Sequence, residues 1–192
     1  MNRRRSLLST SKISVPDNYC IINAYAVTAA EMFFNATVSE TFTLDISNIK
    51  TSCPLYRMFN SSRYNGTPVV LNILGDTSKI NNFDTFLVRR NKLETINGVL
   101  DFSNCTKVDR PFLYCGALKN ITIANSCIHF NFDISYTAVL TTESVQSVVD
   151  GLADITGSAS YTVTFNAKQP ITRAQADSIS AKGWTLSGGL IS

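Results

Sequence analysis

The chain has one histidine, five cysteines and a formal net charge of +3 over 192 residues. These few groups are where chemistry would have to come from. His129 sits between Ile128 and Phe130, beside an expected strand, where a single histidine is more often structural than catalytic. A Cys–His or Ser–His–Asp arrangement would have to use it. No Gly-x-Ser-x-Gly turn or phosphate-cradling glycine loop accompanies it. Cys20, Cys53, Cys105, Cys115 and Cys127 are odd in number and form no Cys-x-x-Cys pair, which argues against a zinc site and against a disulfide framework. They read as free, buried thiols acting as small hydrophobes. Asp150 and Asp154 lie one turn apart on an expected helix, a spacing that usually leaves both carboxylates solvated. No catalytic residue, metal site or cofactor is therefore expected, and the chain is not expected to be an enzyme.

A second set of polar residues is more regular. Asp45, Asn72, Asp101, Asp133 and Thr164 each lie between two apolar residues. Strand alternation points them away from the core. If the strands stack in parallel, these side chains form one row on the sheet surface. That row either faces a ligand or is the ordinary solvation of an exposed face.

The elements that would position the row repeat along the chain. The segments are Thr43-Leu44-Asp45-Ile46-Ser47, Val70-Leu71-Asn72-Ile73-Leu74, Val99-Leu100-Asp101-Phe102-Ser103, Asn131-Phe132-Asp133-Ile134-Ser135 and Thr162-Val163-Thr164-Phe165-Asn166. With Leu44, Leu71, Leu100, Phe132 and Val163 as anchors, the steps are 27, 29, 32 and 31 residues. Apolar alternation marks a half-buried strand, and a near-constant step places each strand at the same point of a repeating unit. Phe59, Phe86 and Phe112 follow the first three anchors by 15, 15 and 12 residues. Leu93–Ile96 and Leu118–Ile123 supply a second extended piece, with Gly66, Gly98 and Gly116 punctuating the connections. The expected fold is an α/β repeat, a short leucine-rich-repeat-like solenoid with a parallel sheet, irregular or helical returns and an N-terminal arm.

The last two units carry helical signals. Thr141 is placed to cap a helix running to about Asp154, with Val145, Val148, Val149 and Leu152 on one face. Thr172 and Gln175 have capping-box spacing for a second helix ending near Lys182, with Gly183 just past its end. Trp184 and Leu186 would then fold back and close the stack. Residues 1–20 read as an extended arm, 21–42 as an N-terminal cap, 43–186 as the repeat domain and 187–192 as a tail.

Charged residues are only 16% of the chain, below the quarter or so usual for soluble domains. The polar surface must come from Asn, Ser and Thr, which suits long-lived assemblies and extracellular contact. Much of the positive charge sits in Arg3, Arg4 and Arg5, so the body offers no basic face for nucleic acid. The cluster either meets nucleic acid or an acidic partner, or is a solvated terminus. Only Leu7 and Leu8 follow it before polar residues resume, too short for a signal-peptide core. No stretch approaches the roughly 20 apolar residues of a membrane span. Asn-x-Ser/Thr sites at Asn35, Asn60, Asn65, Asn104 and Asn120 are, without an export signal, put down to chance.

Leu93-x-x-Ile96 and Phe112-x-x-Cys115-x-x-Leu118-x-x-Ile121 resemble the BspA-like leucine-rich repeat. Leu140–Ser144, Gly151–Gly157 and Ala181–Leu186 look like the closing unit of such arrays, and the pattern departs at Arg110-Pro111, where Ala would stand. The combination, with the start Met1–Leu8, is similar to virion structural proteins of phages and prophages of gut bacteria. The resemblance implies a virion component (tail, baseplate or head-attached fibre) made in the host cytoplasm. Arg3, Arg4, Arg5, Leu7 and Leu8 would dock it to other virion proteins, with the repeat body contacting protein, or a glycan or protein of the host surface, and homo-oligomers possible. A bacterial BspA-like surface adhesin and a cytosolic interaction scaffold are the alternatives.

Overall fold

The computed structural model describes residues 18–22, 26, 28–50, 52–62, 67–106 and 108–192. The expected arm residues Arg3, Arg4, Arg5, Leu7 and Leu8, together with Asn65 and Gly66, lie outside these. The described chain is α/β. Strands β1 (Tyr19–Ile21), β2 (Thr41–Asp45), β3 (Val70–Leu74), β4 (Thr95–Leu100) and β5 (Asn120–Ile123) form a five-stranded sheet in chain order, and every neighbouring pair is parallel. β1 crosses the boundary expected between arm and cap. After β5 come β6 (Phe132–Asp133), helix α1 (Thr142–Gly151), β7 (Thr162–Thr164), β8 (Pro170–Ile171), helix α2 (Arg173–Ala181), β9 (Thr185–Ser187) and β10 (Leu190–Ile191). β6, β7 and β9 make a separate three-stranded parallel sheet, and β10 pairs with β8.

Two of the five expected strand segments therefore stand outside the main sheet. Residues 131–135 and 162–166 belong to the small sheet, and the main sheet is completed by the extended pieces around Ile96 and Ile121. The register differs as well. Leu44 pairs with Ile73, and Leu71 with Ile96. Side-chain alternation has a period of two, so sliding a strand by two residues keeps the same face inward. Phe42 and Leu44, Leu71 and Ile73, and Ile96 and Leu100 are all buried, which is why the apolar pattern could not distinguish these registers.

Parallel strands need long connections, usually helical. Here the returns are irregular and bond to one another. Glu31 N–H donates to Tyr56 O, Arg57 N–H to Asp84 O and Thr85 N–H to Asp109 O at 3.0–3.2 Å. Glu31, Arg57, Thr85 and Arg110, at matching points of successive returns, all take the left-handed conformation (φ +58°, +54°, +47° and +45°). For non-glycine residues this conformation is costly, so the ladder must hold it. Between sheet and returns lies a phenylalanine stack. Phe33 and Phe59 are face to face at 5.0 Å, and Phe59–Phe86, Phe83–Phe86 and Phe83–Phe102 meet edge-on at 5.2–5.6 Å.

One unit breaks the pattern. The sheet step is 29 residues from Thr43 to Asn72 but 25 from Asn72 to Asn97. Part of the excess follows Phe59, where the return takes three residues more than its neighbours to reach the next strand. Arg90 lies against this stretch, fully buried. Its guanidinium donates to the carbonyls of Phe59 (2.6 Å), Thr67 (2.7 Å), Ala36 (2.9 Å) and Phe33 (3.1 Å). Burial lowers its pKa to about 10, which leaves it charged at neutral pH. Five fixed donors suit a cage of carbonyls.

Both helices start where expected. Thr141 Oγ1 accepts from Ser144 N–H, and Thr172 and Gln175 form a reciprocal capping box. α1 ends three residues earlier than Asp154. Trp184 is buried and its Nε1 donates to Ala153 O at 2.8 Å, two residues past the end of α1. One continuous apolar core runs from Ile22 to Trp184. Among the described residues, no helix is long and apolar enough to cross a membrane.

Candidate functional site: the polar face of the sheet

The outward residues of β2 to β5 are Thr, Asn and Asp with a few exposed aliphatics. Asn72 Nδ2 donates to Thr43 Oγ1 (3.2 Å), and Asn97 Nδ2 to Asn72 Oδ1 (2.8 Å), so Thr43, Asn72 and Asn97 form a side-chain ladder across three strands. Asn120 Nδ2 donates to Thr95 Oγ1 at 3.1 Å one row away. Cross-strand polar pairs of this kind add modestly to sheet stability.

The structure does not bring Asp45, Asn72, Asp101, Asp133 and Thr164 into one row. Only Asn72 sits in the ladder. Asp45 lies beside Leu74, Asp101 follows the end of β4, and Asp133 is opposite Thr164 in the small sheet. The aspartates share a different role. Asp45 Oδ1 accepts from Ser47 N–H (2.9 Å), Asp101 from Ser103 N–H (2.8 Å) and Asp133 from Ser135 N–H (2.9 Å). Each turns the chain out of its strand as an Asx turn. The Asp-x-Ser spacing was the sequence signal for this. Asp45 also accepts from Tyr19 Oη at 2.6 Å. The Tyr19 and Ser47 hydrogen bonds lower the Asp45 pKa, and the same contact raises that of Tyr19.

The other candidates are dispersed. His129 is exposed. Asp150 accepts from Gln146 (2.9 Å), and Asp154 from Thr156 N–H (3.0 Å) and Thr156 Oγ1 (2.7 Å). Cys53, Cys105, Cys115 and Cys127 are buried free thiols, and Cys20 is half-buried. Burial pushes Cys105 and Cys115 up to about 12 and Cys127 to about 11, which suppresses thiolate chemistry. Among the described residues, no group of three or more His, Cys, Asp or Glu side chains is placed to hold a metal ion.

A groove interrupts the face between β4, β5 and the start of α1. Thr95 pairs with Asn120 and Val99 with Thr122, so β4 carries two extra residues, Asn97 and Gly98, as a bulge. Gly98 has φ +110°, and a Cβ there would press on the Ile73 carbonyl. α1 forms the opposite wall. Its Ser144 Oγ accepts from Ile121 N–H (3.0 Å) and Ser147 Oγ from Ile123 N–H (2.7 Å). Two serines three apart on a helix thus cover two alternate amides on the edge of β5, an edge that would otherwise invite another strand. The groove is a half-open hollow of about 320 Å³, lined by Thr95, Asn97, Asn120, Thr122, Thr141 and Glu143, with Ile96, Gly98, Ile121 and Ser144. Sequence reasoning missed these residues; the alternating Thr95-Ile96-Asn97 and Asn120-Ile121-Thr122 was the available sign. No family model, curated protein or solved structure matches the chain.

Proposed function

We propose that the chain is a virion structural protein, a tail, baseplate or head-attached fibre component of a phage. In this reading residues 43–186 form a short leucine-rich-repeat-like solenoid that projects outward. The segment before Tyr19, with Arg3, Arg4, Arg5, Leu7 and Leu8, docks it to another virion protein.

The supporting observation is the difference between the two edges of the main sheet. Strands β1 to β5 pair strictly in chain order, the arrangement that stacked units give. The β5 edge is closed by the α1 serines. β1 is the strand that follows the proposed docking segment in sequence. A neutral face of Thr and Asn suits permanent contact with protein or glycan surfaces. Deleting residues 2–15 is expected to abolish co-sedimentation with phage particles while the thermal unfolding of the body is unchanged. Truncated protein that still sediments with particles would overturn the docking role.

A further inference from the structure

We propose that the groove between the β4 bulge, β5 and α1 binds an uncharged saccharide. This deepens the contact-surface reading above and rests on it for where such a ligand is met. A space of about 320 Å³ falls at the lower end of the roughly 300–1,000 Å³ typical of small-molecule sites, enough for one or two sugar rings.

The lining chemistry selects the class. Thr95, Asn97, Asn120, Thr122 and Thr141 present hydroxyls and carboxamides, groups that both donate and accept as sugar hydroxyls do. Asn97 and Asn120 each spend one amide hydrogen on a neighbouring strand. That fixes the two side chains and leaves a carbonyl oxygen and a second N–H on each for a ligand. Side chains already held in place lose less freedom on binding. Ile96 and Ile121 are buried in the core, so the groove offers a ligand polar side chains rather than an apolar wall. No lysine or arginine lines the groove, and Glu143 contributes a carboxylate, so phosphate, sulfate and carboxylate ligands are disfavoured. The bulge is the device that opens the space. Without Asn97 and Gly98, β4 would lie flat against β5, and bulges of this kind recur beside binding sites.

The test is the full chain on an array of neutral oligosaccharides (hexose, N-acetylhexosamine and deoxyhexose) and acidic ones (sialylated and sulfated). Calorimetric titration with the best neutral hit follows. Binding is expected to neutral glycans only. Thr122→Trp, which fills the groove from an exposed position, and Asn97→Ala are each expected to weaken it at least tenfold. Thr41→Trp, on the same face away from the groove, should leave it unchanged. Thermal unfolding of each variant checks the fold. Three results overturn the proposal: no neutral glycan bound, preference for acidic glycans, or equal binding by Thr122→Trp. Absent sugar binding with particle association intact removes the groove ligand and leaves the virion reading. Sugar binding without particle association does the reverse.

Discussion

Between residues 29 and 123, neighbouring segments hold one another chiefly main chain to main chain, both in the sheet and in the returns, with side chains such as Lys79 and Asn104 adding bonds to neighbouring carbonyls. Beyond residue 140 the short strands still pair main chain to main chain, but the contacts made by the helices and their flanks pass largely through side chains. Ser144 and Ser147 cover β5. Gln169 bonds both the N–H (2.6 Å) and the carbonyl (3.2 Å) of Leu140. Lys182 Nζ donates to Val149 O and Leu152 O, each at 2.8 Å, at the end of α1. The cause is the helix itself. A helix consumes its own N–H and C=O groups, so a strand beside one must find side chains for its edge, and the helix end must find a donor for its last carbonyls. Arg90 is the same device placed inside the strand-led part, where its guanidinium serves four carbonyls of neighbouring units.

Arg90 offers the largest effect and the strongest challenge to this contrast. Arg90→Met keeps most of the volume and removes the guanidinium's hydrogen bonds to four carbonyls. Charge-assisted hydrogen bonds contribute about 1.5–3 kcal/mol each, and buried unsatisfied groups are costly, so a loss of at least about 3 kcal/mol is expected from urea unfolding. The apolar core is continuous, so the transition should stay single while moving to lower urea. A near-parental midpoint would mean that water can serve those carbonyls, and the strand-led part would then not depend on a side chain.

Gly98→Ala comes next. It forces a Cβ into a backbone at φ +110° and against Ile73 O. Strained positions of this kind cost about 1–3 kcal/mol, read from the urea midpoint. If the bulge instead flattens, the groove volume falls and the loss is smaller.

The helix-bearing part is tested by Ser144→Ala with Ser147→Ala. The pair exposes the β5 edge and leaves two amides without their hydroxyl partners. About 1–3 kcal/mol is expected, with faster hydrogen exchange at Ile121 and Ile123 than at Leu71 and Ile73. Equal exchange at the two places would erase the distinction between side-chain and main-chain sealing.

The contrast was partly legible in the sequence. Thr141, the Thr172–Gln175 capping box, the α1 apolar face and the Trp184 closure were readable because capping chemistry and the 3.6-residue period are local. The strand pairings were not, because apolar residues two apart leave neighbouring registers equivalent. Nor was the division into three sheets, since nothing local states which strand lies beside which. Arg90 carried a sign that went unused. Leu87-x-x-Arg90-x-x-Leu93-x-x-Ile96 has the spacing of Phe112-x-x-Cys115-x-x-Leu118-x-x-Ile121. An arginine at the place of a buried cysteine announces an unusual partner, though not which carbonyls it meets. The aspartates misled because a polar residue between apolar ones reads as a surface row, whereas Ser two residues on makes it a turn.

Asx turns are the device both parts share, and they give the smallest effect. Asp45 in the strand-led part and Asp154 in the helix-bearing part each have a pKa lowered by hydrogen bonds, to Tyr19 and Ser47 in one and to Thr156 in the other. A depressed folded-state pKa favours the native state while the carboxylate is ionised, above the usual aspartate range near 4. The contribution is lost as pH falls through the lower, folded value. Asn can still accept the turn hydrogen bond but carries no charge. Asp45→Asn should therefore be slightly less stable than the parent at pH 7, and the gap should narrow as pH falls below the usual aspartate range. Asp154→Asn should behave alike. A gap at Asp45 that persists in acid would place its effect in packing against Tyr19 rather than in ionisation. The two turns would then differ as the rest of the two parts do.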